Sequence, residues 1–264
     1  MPKENKDLKR RFGTQGTQPY YHQLDLRQID DLDDEAFAYL VKGVKGVNML
    51  DLNETDISNK SIELISQMEY VNELRAKGCH NLDDGCMRFL NKIPSLRLLH
   101  LRYTEVTIDG LLQLTNLQHL TTLLFSANDV ADRDEKLMQL KFQHPHCELL
   151  MDGSLYSVKA IDFFVFALQK IPFLVRIKVK NEALDTGFSP QLFRGAAGDL
   201  QTSLQGPCPI DAIEWIEINL GKVAGEPVGQ NSHVDNIMKL LDYLHFPYLQ
   251  DGNIISAYLV DAEV

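Results

Sequence analysis

The chain has 264 residues, of which 44% are hydrophobic and 24% charged, and it carries a formal net charge of −11. This composition is typical of a folded globular protein and excludes collagen-like, low-complexity and wholly disordered chains. The acidic balance argues against a nucleic-acid partner, since binding a phosphate backbone needs a basic face. The length suits one elongated domain or two compact ones.

Residues 1–19 are polar and basic, with five Lys or Arg against two Asp or Glu. They lack the apolar stretch of a secretory signal. We predict a basic tail that is disordered or that, with Tyr20 and Tyr21, covers the first of the repeated units that follow it. No later apolar stretch reaches the roughly 20 residues that span a bilayer, so no membrane contact is expected. The four cysteines lack the paired spacing of a disulfide or zinc framework, which favours a reducing, cytoplasmic location.

A repeat occupies the first half of the chain. Strand-like cores recur every 24–26 residues, followed by an acidic loop and a short amphipathic stretch such as SIELISQM or GLLQLTNL. One such unit cannot bury its own apolar stripe, so we expect neighbouring units to stack with their strands paired. The cores begin at Leu24, Leu50, Leu74, Leu99 and Leu123, and a closing core begins at Leu149.

The repeat resembles leucine-rich repeats, particularly the 24–26-residue strand–helix type of cysteine-containing and F-box-associated members. The segments ISNKSIELI, LDDGCMRFL and VTIDGLLQL carry the resemblance, which covers residues 20–152. It departs from the family pattern at Ala76, where a small residue replaces the second leucine, and in the highly charged segment 129–135. The resemblance implies an α/β fold, a short solenoid of parallel strands and helices.

The strands of the repeat predict a binding face. The residues that flank each core leucine point away from the core, onto the concave side of the stack. There they form a basic centre bordered by apolar residues, which suits recognition of another protein better than small-molecule chemistry. The candidate binding residues on this face are Arg75, Lys77, His100, Arg102 and Leu124.

Acidic residues concentrate in the loops that follow the strands. Stacking of the units would align them into an acidic ridge along one edge, made of Asp31, Asp34, Asp56, Asp84 and Asp132. Such a ridge attracts a basic partner protein mainly by speeding the encounter. Plain solubility is the competing interpretation of the same charges.

The second half, residues 153–264, has no repeat and resembles no family. Helix-like and strand-like segments alternate there, which indicates a compact α/β or α+β domain. We predict helices over 157–171 and 233–244, strands over 173–180, 212–220 and 253–261, and a possible helix within 189–204. Phe163, Phe164 and Phe166 give the first helix a large apolar surface, and we expect it to cover the last repeat.

No catalytic motif stands out. The chain lacks GxSxG, GxGxxG and GxxxxGK patterns, and we therefore predict that it is not an enzyme and takes no cofactor. His144, His146 and Cys147, together with Cys79 and His80, are ligand types for zinc, but their spacing is not that of a zinc site. No metal is expected.

These patterns favour a non-catalytic protein-interaction molecule. An acidic chain with a recognition face and no catalytic motif suits the neutralisation of a basic partner protein, by analogy with bacterial immunity proteins. An adaptor that resembles the substrate receptors of ubiquitin ligases is one alternative, although no F-box-like segment precedes the repeat. An uncharacterised enzyme in residues 153–264 is another. The oligomeric state is left open.

Overall fold

The computed structural model describes residues 4–12, 18–127, 132–169, 174–180, 191–193, 215–220 and 232–259. The chain divides into two compact units, Met1–Tyr156 and Ser157–Val264. The boundary expected at residue 153 lies inside the last hairpin of the first unit. No helix in these ranges combines the length and the apolar character needed to cross a bilayer.

The first unit is a seven-stranded, mostly parallel sheet whose strands alternate with helices. The strands follow chain order, and only the last pair is antiparallel. The strands are β1 (Tyr20–Asp25), β2 (Gly46–Asp51), β3 (Tyr70–Arg75), β4 (Leu98–His100), β5 (Thr122–Phe125), β6 (Glu148–Met151) and β7 (Ser154–Leu155). The helices are α1 (Glu4–Phe12), α2 (Asp34–Leu40), α3 (Asn59–Ile65), α4 (Met87–Leu90) after a 3₁₀ turn (Asp84–Cys86), α5 (Ile108–Leu111) and α6 (Arg133–Gln143).

The core leucines lie in one row across the parallel strands, as the spacing predicts. Leu24, Leu50, Leu74, Leu99, Leu123 and Leu149 are consecutive register partners from β1 to β6. All but Leu24, on the edge strand, are fully or almost fully buried. A shift of one residue in any strand would turn its leucine to the opposite face of the sheet, so burial of this row specifies the register.

The N-terminal segment confirms one of its two predictions, since residues 4–12 cover the start of the first unit and are not a disordered tail. Residues Glu4–Phe12 form α1, and Leu8 and Phe12 pack against the core of the first unit. The Phe12 ring lies 6.4 Å from that of Tyr39, and Arg11 donates a hydrogen bond to the carbonyl of Asp30. Leu8 and Phe12 are four residues apart and therefore share one helix face. This apolar pair is difficult to recognise in the sequence because charged residues surround it.

A tight hairpin ends the first sheet. Asp152 (φ 50°) and Gly153 (φ 92°) form the two-residue turn between β6 and β7. Two consecutive residues with positive φ define a turn whose twist matches that of the flanking strands, and Asp-Gly is one of its preferred sequences. The repeat therefore stops here because the chain reverses direction.

The second unit contains a five-stranded sheet in which every described pair is antiparallel, which favours the α+β alternative. The strands are β8 (Leu174–Lys180), β9 (Gln191–Phe193), β10 (Trp215–Leu220), β11 (Tyr248–Asp251) and β12 (Ile254–Tyr258), in the order β11-β12-β10-β8-β9. The helices among the described residues of this unit are α7 (Ala160–Gln169) and α8 (Ser232–Tyr243). Aromatic contacts join these helices, since the Phe163 ring lies 6.2 Å from Tyr243 and the Phe164 ring 5.7 Å from Phe246.

Two predictions for the second unit need correction. The possible helix within 189–204 is a strand where it is described, at Gln191–Phe193, and the other residues of that segment lie outside the described residues. The expected last strand is preceded by β11, which the sequence analysis missed. The turn at Gly252 (φ 59°), between Asp251 and Asn253, was the available signal for this hairpin.

Candidate functional site

The face of the first sheet opposite the core leucines, here called the open face, carries one row of side chains that changes character across the strands. The row begins with acidic residues on β1 and β2, has an arginine on β3 and a histidine on β4, and is apolar from β5 onwards. Its members, in register order, are Asp25, Asp51, Arg75, His100, Leu124, Leu150 and Leu155.

The acidic end of the row is partly neutralised by one arginine, which contacts both carboxylates. Arg27 lies 2.7 Å from a carboxylate oxygen of Asp25 and 3.4 Å from one of Asp51. The hydrogen bond from Arg27 lowers the pKa of Asp25, and Asp51 is almost fully buried. This end of the open face therefore presents a satisfied ion-pair cluster.

The basic centre has one cation without a carboxylate. Arg75 lies 3.1 Å from Glu73 and Lys77 lies 3.1 Å from Glu54. Arg102, by contrast, has no ion pair within the described part of the chain. Unneutralised positive charge on the open face is thus concentrated at Arg102.

Tyr103 belongs to this centre, although the sequence analysis did not select it. Arg102 donates a hydrogen bond of 2.9 Å to the Tyr103 hydroxyl, and its guanidinium carbon lies 4.9 Å from the centre of the ring. The ammonium of Lys77 lies 5.7 Å from the same ring. Both distances are within the range of cation–π attraction. Tyr103 is 50% exposed.

The backbone of Tyr103 is in the left-handed region, with φ at 58°. The corresponding turn residues after β2 and β3 are Glu54 (φ 60°) and Gly78 (φ 72°), and glycine is the residue that this conformation favours. A non-glycine residue there costs about 1–2 kcal/mol, and its amide is held by a 2.9 Å hydrogen bond to the Ser126 hydroxyl. Aligning the repeats would have revealed Tyr103 opposite Gly78.

His100 lies between Arg75 and Leu124 in the open-face row and is half-buried. Burial, reinforced by the charges of Arg102, Lys77 and Arg75, lowers its pKa to about 4. The imidazole is therefore neutral at pH 7. Its Nε2 atom is buried and has no hydrogen-bond partner among the residues that the structure describes.

The far end of the open face is apolar. Leu124 and Leu150 are half-buried, and Leu155 on β7 is 60% exposed. Leu98, two residues before His100 on β4, adds to the same surface. The predicted site residues therefore lie on three adjacent strands and the turns that follow two of them: Arg75 and Lys77, His100 and Arg102, and Leu124.

The predicted acidic ridge is only partly formed, because two of its carboxylates are internal hydrogen-bond acceptors. Asp34 accepts from the amide and hydroxyl of Ser58 at 2.8 and 2.5 Å, and from those of Ser61 at 3.2 and 2.6 Å. Burial raises the pKa of Asp34, but these hydrogen bonds outweigh it and the net change is downward. Asp84 accepts in the same way from the amide and hydroxyl of Thr107, both at 2.7 Å.

These contacts belong to a ladder that links successive helix starts. The first residue of one helical turn binds the N-cap of the next, so Asp34 binds Ser58 and Asp84 binds Thr107. Between these two pairs, the side-chain amide of Asn59 donates a hydrogen bond of 2.6 Å to the Asp83 carboxylate. An Asp at the position of Asn59 would repel Asp83, so the alternation of residue types avoids like charges. The ladder explains several of the acidic residues without a partner protein.

Three predicted ridge residues remain exposed: Asp31, Asp56 and Asp132. Asp31 and Asp132 have positive φ values of 48° and 61°, and they therefore lie in tight turns. Arg11 approaches Asp31 to 3.9 Å, so the helix that replaces the expected tail partly offsets this charge.

Three of the candidate zinc ligands, Cys79, His144 and Cys147, are buried in the first unit. The thiol of Cys79 donates to the carbonyl of Leu52 at 3.1 Å, and a ring nitrogen of His144 lies 2.7 Å from the carbonyl of Leu114. Burial raises the pKa of Cys86 and of Cys147 to about 12, so both remain protonated thiols at neutral pH. Across the described ranges, no three His, Cys, Asp or Glu side chains converge as a metal site.

Comparison with known proteins adds no assignment to this geometry. No protein-family model matches the chain, and no curated protein matches it significantly. What the fold defines is a mixed α/β chain with a mostly parallel sheet in its first unit. Any function must therefore be argued from the open face itself.

Proposed function

We propose that the first unit is a short leucine-rich-repeat solenoid and that the protein binds another protein, without catalysis, through the open face. The shared register of the core leucines supports the repeat. So does the helix-start ladder, whose contacts recur at separations of 23 to 24 residues. Such a stack presents one continuous sheet face, which is how repeat architectures provide a binding surface.

The observation that carries the binding role is the group of Arg102, Tyr103 and the exposed leucines. Tyr and Arg are the residue types most enriched among interface hot spots. Tyr103 is exposed and has a left-handed backbone conformation, and non-glycine residues in such conformations cluster at functional sites. The apolar residues Leu124 and Leu155 continue from this group in the direction of β7.

Replacing Leu124 with arginine should weaken partner binding at least tenfold. The new charge would lie beside His100 and among the apolar residues of the open face, and it would have to be desolvated in the complex. We expect capture of the partner by the immobilised full-length protein to fall at least tenfold, about 1.4 kcal/mol. Capture is quantified by mass spectrometry, and affinity for the identified partner by interferometry.

Lys60→Glu provides a matched control, because Lys60 is exposed on α3, on the helical side of the unit. It should bind as the wild type does. Leu155→Arg, at the more exposed end of the row, replaces Leu124→Arg if that variant has a lowered melting temperature. Wild-type affinity in folded variants at both leucines would contradict binding through the open face.

A second candidate is neutralisation of a basic partner protein through the acidic edge, and the exposure of Asp31, Asp56 and Asp132 favours it. Converting these three residues to lysine should slow association tenfold or more at low salt. The effect should largely vanish at 1 M salt, where the Debye length is about 3 Å. Stopped-flow association rates test this, with the internal acceptors Asp34 and Asp84 left intact. An unchanged rate at low salt would assign these charges to solubility alone.

A further inference from the structure

Two buried nitrogen atoms on the open face lack a hydrogen-bond partner within the described ranges: Nε2 of His100 and Nε of Arg102. A buried polar atom left unsatisfied costs about 1–3 kcal/mol, and folded proteins keep few of them. His100 ends β4, and Arg102 follows it by two residues in the turn after the strand. The charge of Arg102 lowers the pKa of His100, so the two side chains lie close together and one acceptor group can serve both.

The surroundings of these atoms are positively charged. Arg75 is the register partner of His100 on the neighbouring strand, and Lys77 follows it by two residues. Burial lowers the pKa of His100, and the positive charges of Arg102, Lys77 and Arg75 lower it further, so all three cations lie near its ring. Since Glu73 and Glu54 neutralise only Arg75 and Lys77, the net local charge is positive.

We propose that Arg75, His100 and Arg102 form a carboxylate-binding site, and that the carboxylate is an acidic side chain of the partner protein. This inference rests on the proposed function and names the chemistry that the open face recognises. The imidazole remains neutral and donates through Nε2–H, while Arg102 donates through Nε–H and supplies the charge. A carboxylate has two acceptor oxygens and no donor, which matches this pair of donors.

The apolar residues beside the site indicate a protein segment and not a free anion. From His100 the register row passes to Leu124, Leu150 and Leu155. From His100 to Leu155 the row crosses three strand spacings of about 4.8 Å, or roughly 14 Å, which is the length of about four extended residues. A segment with one acidic residue followed by alternating apolar residues fits the row, and Tyr103 borders its acidic end.

Because the whole chain carries a net charge of −11, the site can attract an acidic partner only at short range. An acidic partner gains no long-range attraction from a chain of the same sign, so the complex depends on direct contacts. We therefore expect modest association rates and a strong effect of removing the single acidic residue of the partner.

Two capped peptides test the proposal on the full-length protein: acetyl-Glu-Leu-Ser-Leu-amide and its Gln counterpart. The readout is the imidazole NMR signal of His100, followed as a function of peptide concentration and pH. The Glu peptide should bind at least tenfold more tightly than the Gln peptide. It should also move the pKa of His100 upward from about 4, because an adjacent carboxylate stabilises the imidazolium.

Variants and a small anion distinguish the outcomes. Arg102→Gln should remove the preference for Glu, with Arg102→Lys as the substitute if it does not fold, whereas Arg88→Gln on α4 should preserve the preference. Equal binding of the two peptides would overturn the carboxylate site, as would binding of inorganic phosphate without either peptide. The proposed function is judged separately, by the loss of partner capture in Leu124→Arg.

Discussion

Replacing Leu99 with alanine should lower the free energy of unfolding by about 2–5 kcal/mol, the range for a leucine truncated in a close-packed core. Leu99 is fully buried on β4 and lies in register between Leu74 and Leu123. Neighbouring strands on both sides limit how far the cavity can collapse, so the cost should be large. Urea unfolding followed by far-UV circular dichroism measures it, since the only tryptophan, Trp215, lies in the second unit.

Leu124→Ala is the matched control for this prediction. Leu124 lies one strand away, but it projects from the open face and is only half-buried. Its truncation should cost less than half as much as that of Leu99. Equal or reversed costs would mean that the buried row is not the core that holds the parallel strands together.

Gly110→Ala should destabilise the first unit by about 2–4 kcal/mol, although alanine in place of a helical glycine usually gains about 1 kcal/mol. Gly110 is buried in α5, and a Cβ there would overlap the carboxylate of Asp84. Asp84 would have to leave the two hydrogen bonds that it accepts from Thr107. Hydrogen bonds to a charged acceptor contribute about 1.5–3 kcal/mol each. Their loss therefore outweighs the gain in helix propensity and makes the substitution destabilising.

The control is the same substitution in an Asp84→Ala background, where the space beside Gly110 is free. There Gly110→Ala should be neutral or stabilising, so the two changes should be strongly non-additive in a double-mutant cycle. The four proteins are compared by urea unfolding. A stabilising Gly110→Ala in the wild-type background would show that the helix-start ladder does not constrain this glycine.

The helix-start ladder gives a structural reason for two of the acidic residues, Asp34 and Asp84. Asp34 and Asp84 were grouped with the exposed carboxylates because their sequence neighbours offer no cation. Their partners are serine and threonine N-caps one repeat further along, which satisfy a carboxylate without neutralising it. A structural role inside the unit therefore accounts for these two carboxylates, each of which keeps its charge.

The sequence by itself determined the spacing of the parallel strands and their register. The leucines recur at a nearly constant interval, and only one alignment of neighbouring strands buries all of them, so local pattern was enough. It also identified the two described helices of the second unit and the grouping of Arg75, His100 and Leu124 on one face. These features follow from the periodic spacing of apolar residues, which can be recognised without knowing which distant residues are in contact.

Only the tertiary structure decided the features that depend on residues far apart in the chain. The docking of α1 depends on its Phe12–Tyr39 contact, and the antiparallel sheet of the second unit depends on strand pairing that periodicity does not encode. The internal role of Asp34 and the unsatisfied Nε2 of His100 likewise follow from neighbours on other elements. Hydrogen bonding and burial are properties of a residue's spatial surroundings, whereas the sequence pattern records only its preferred face.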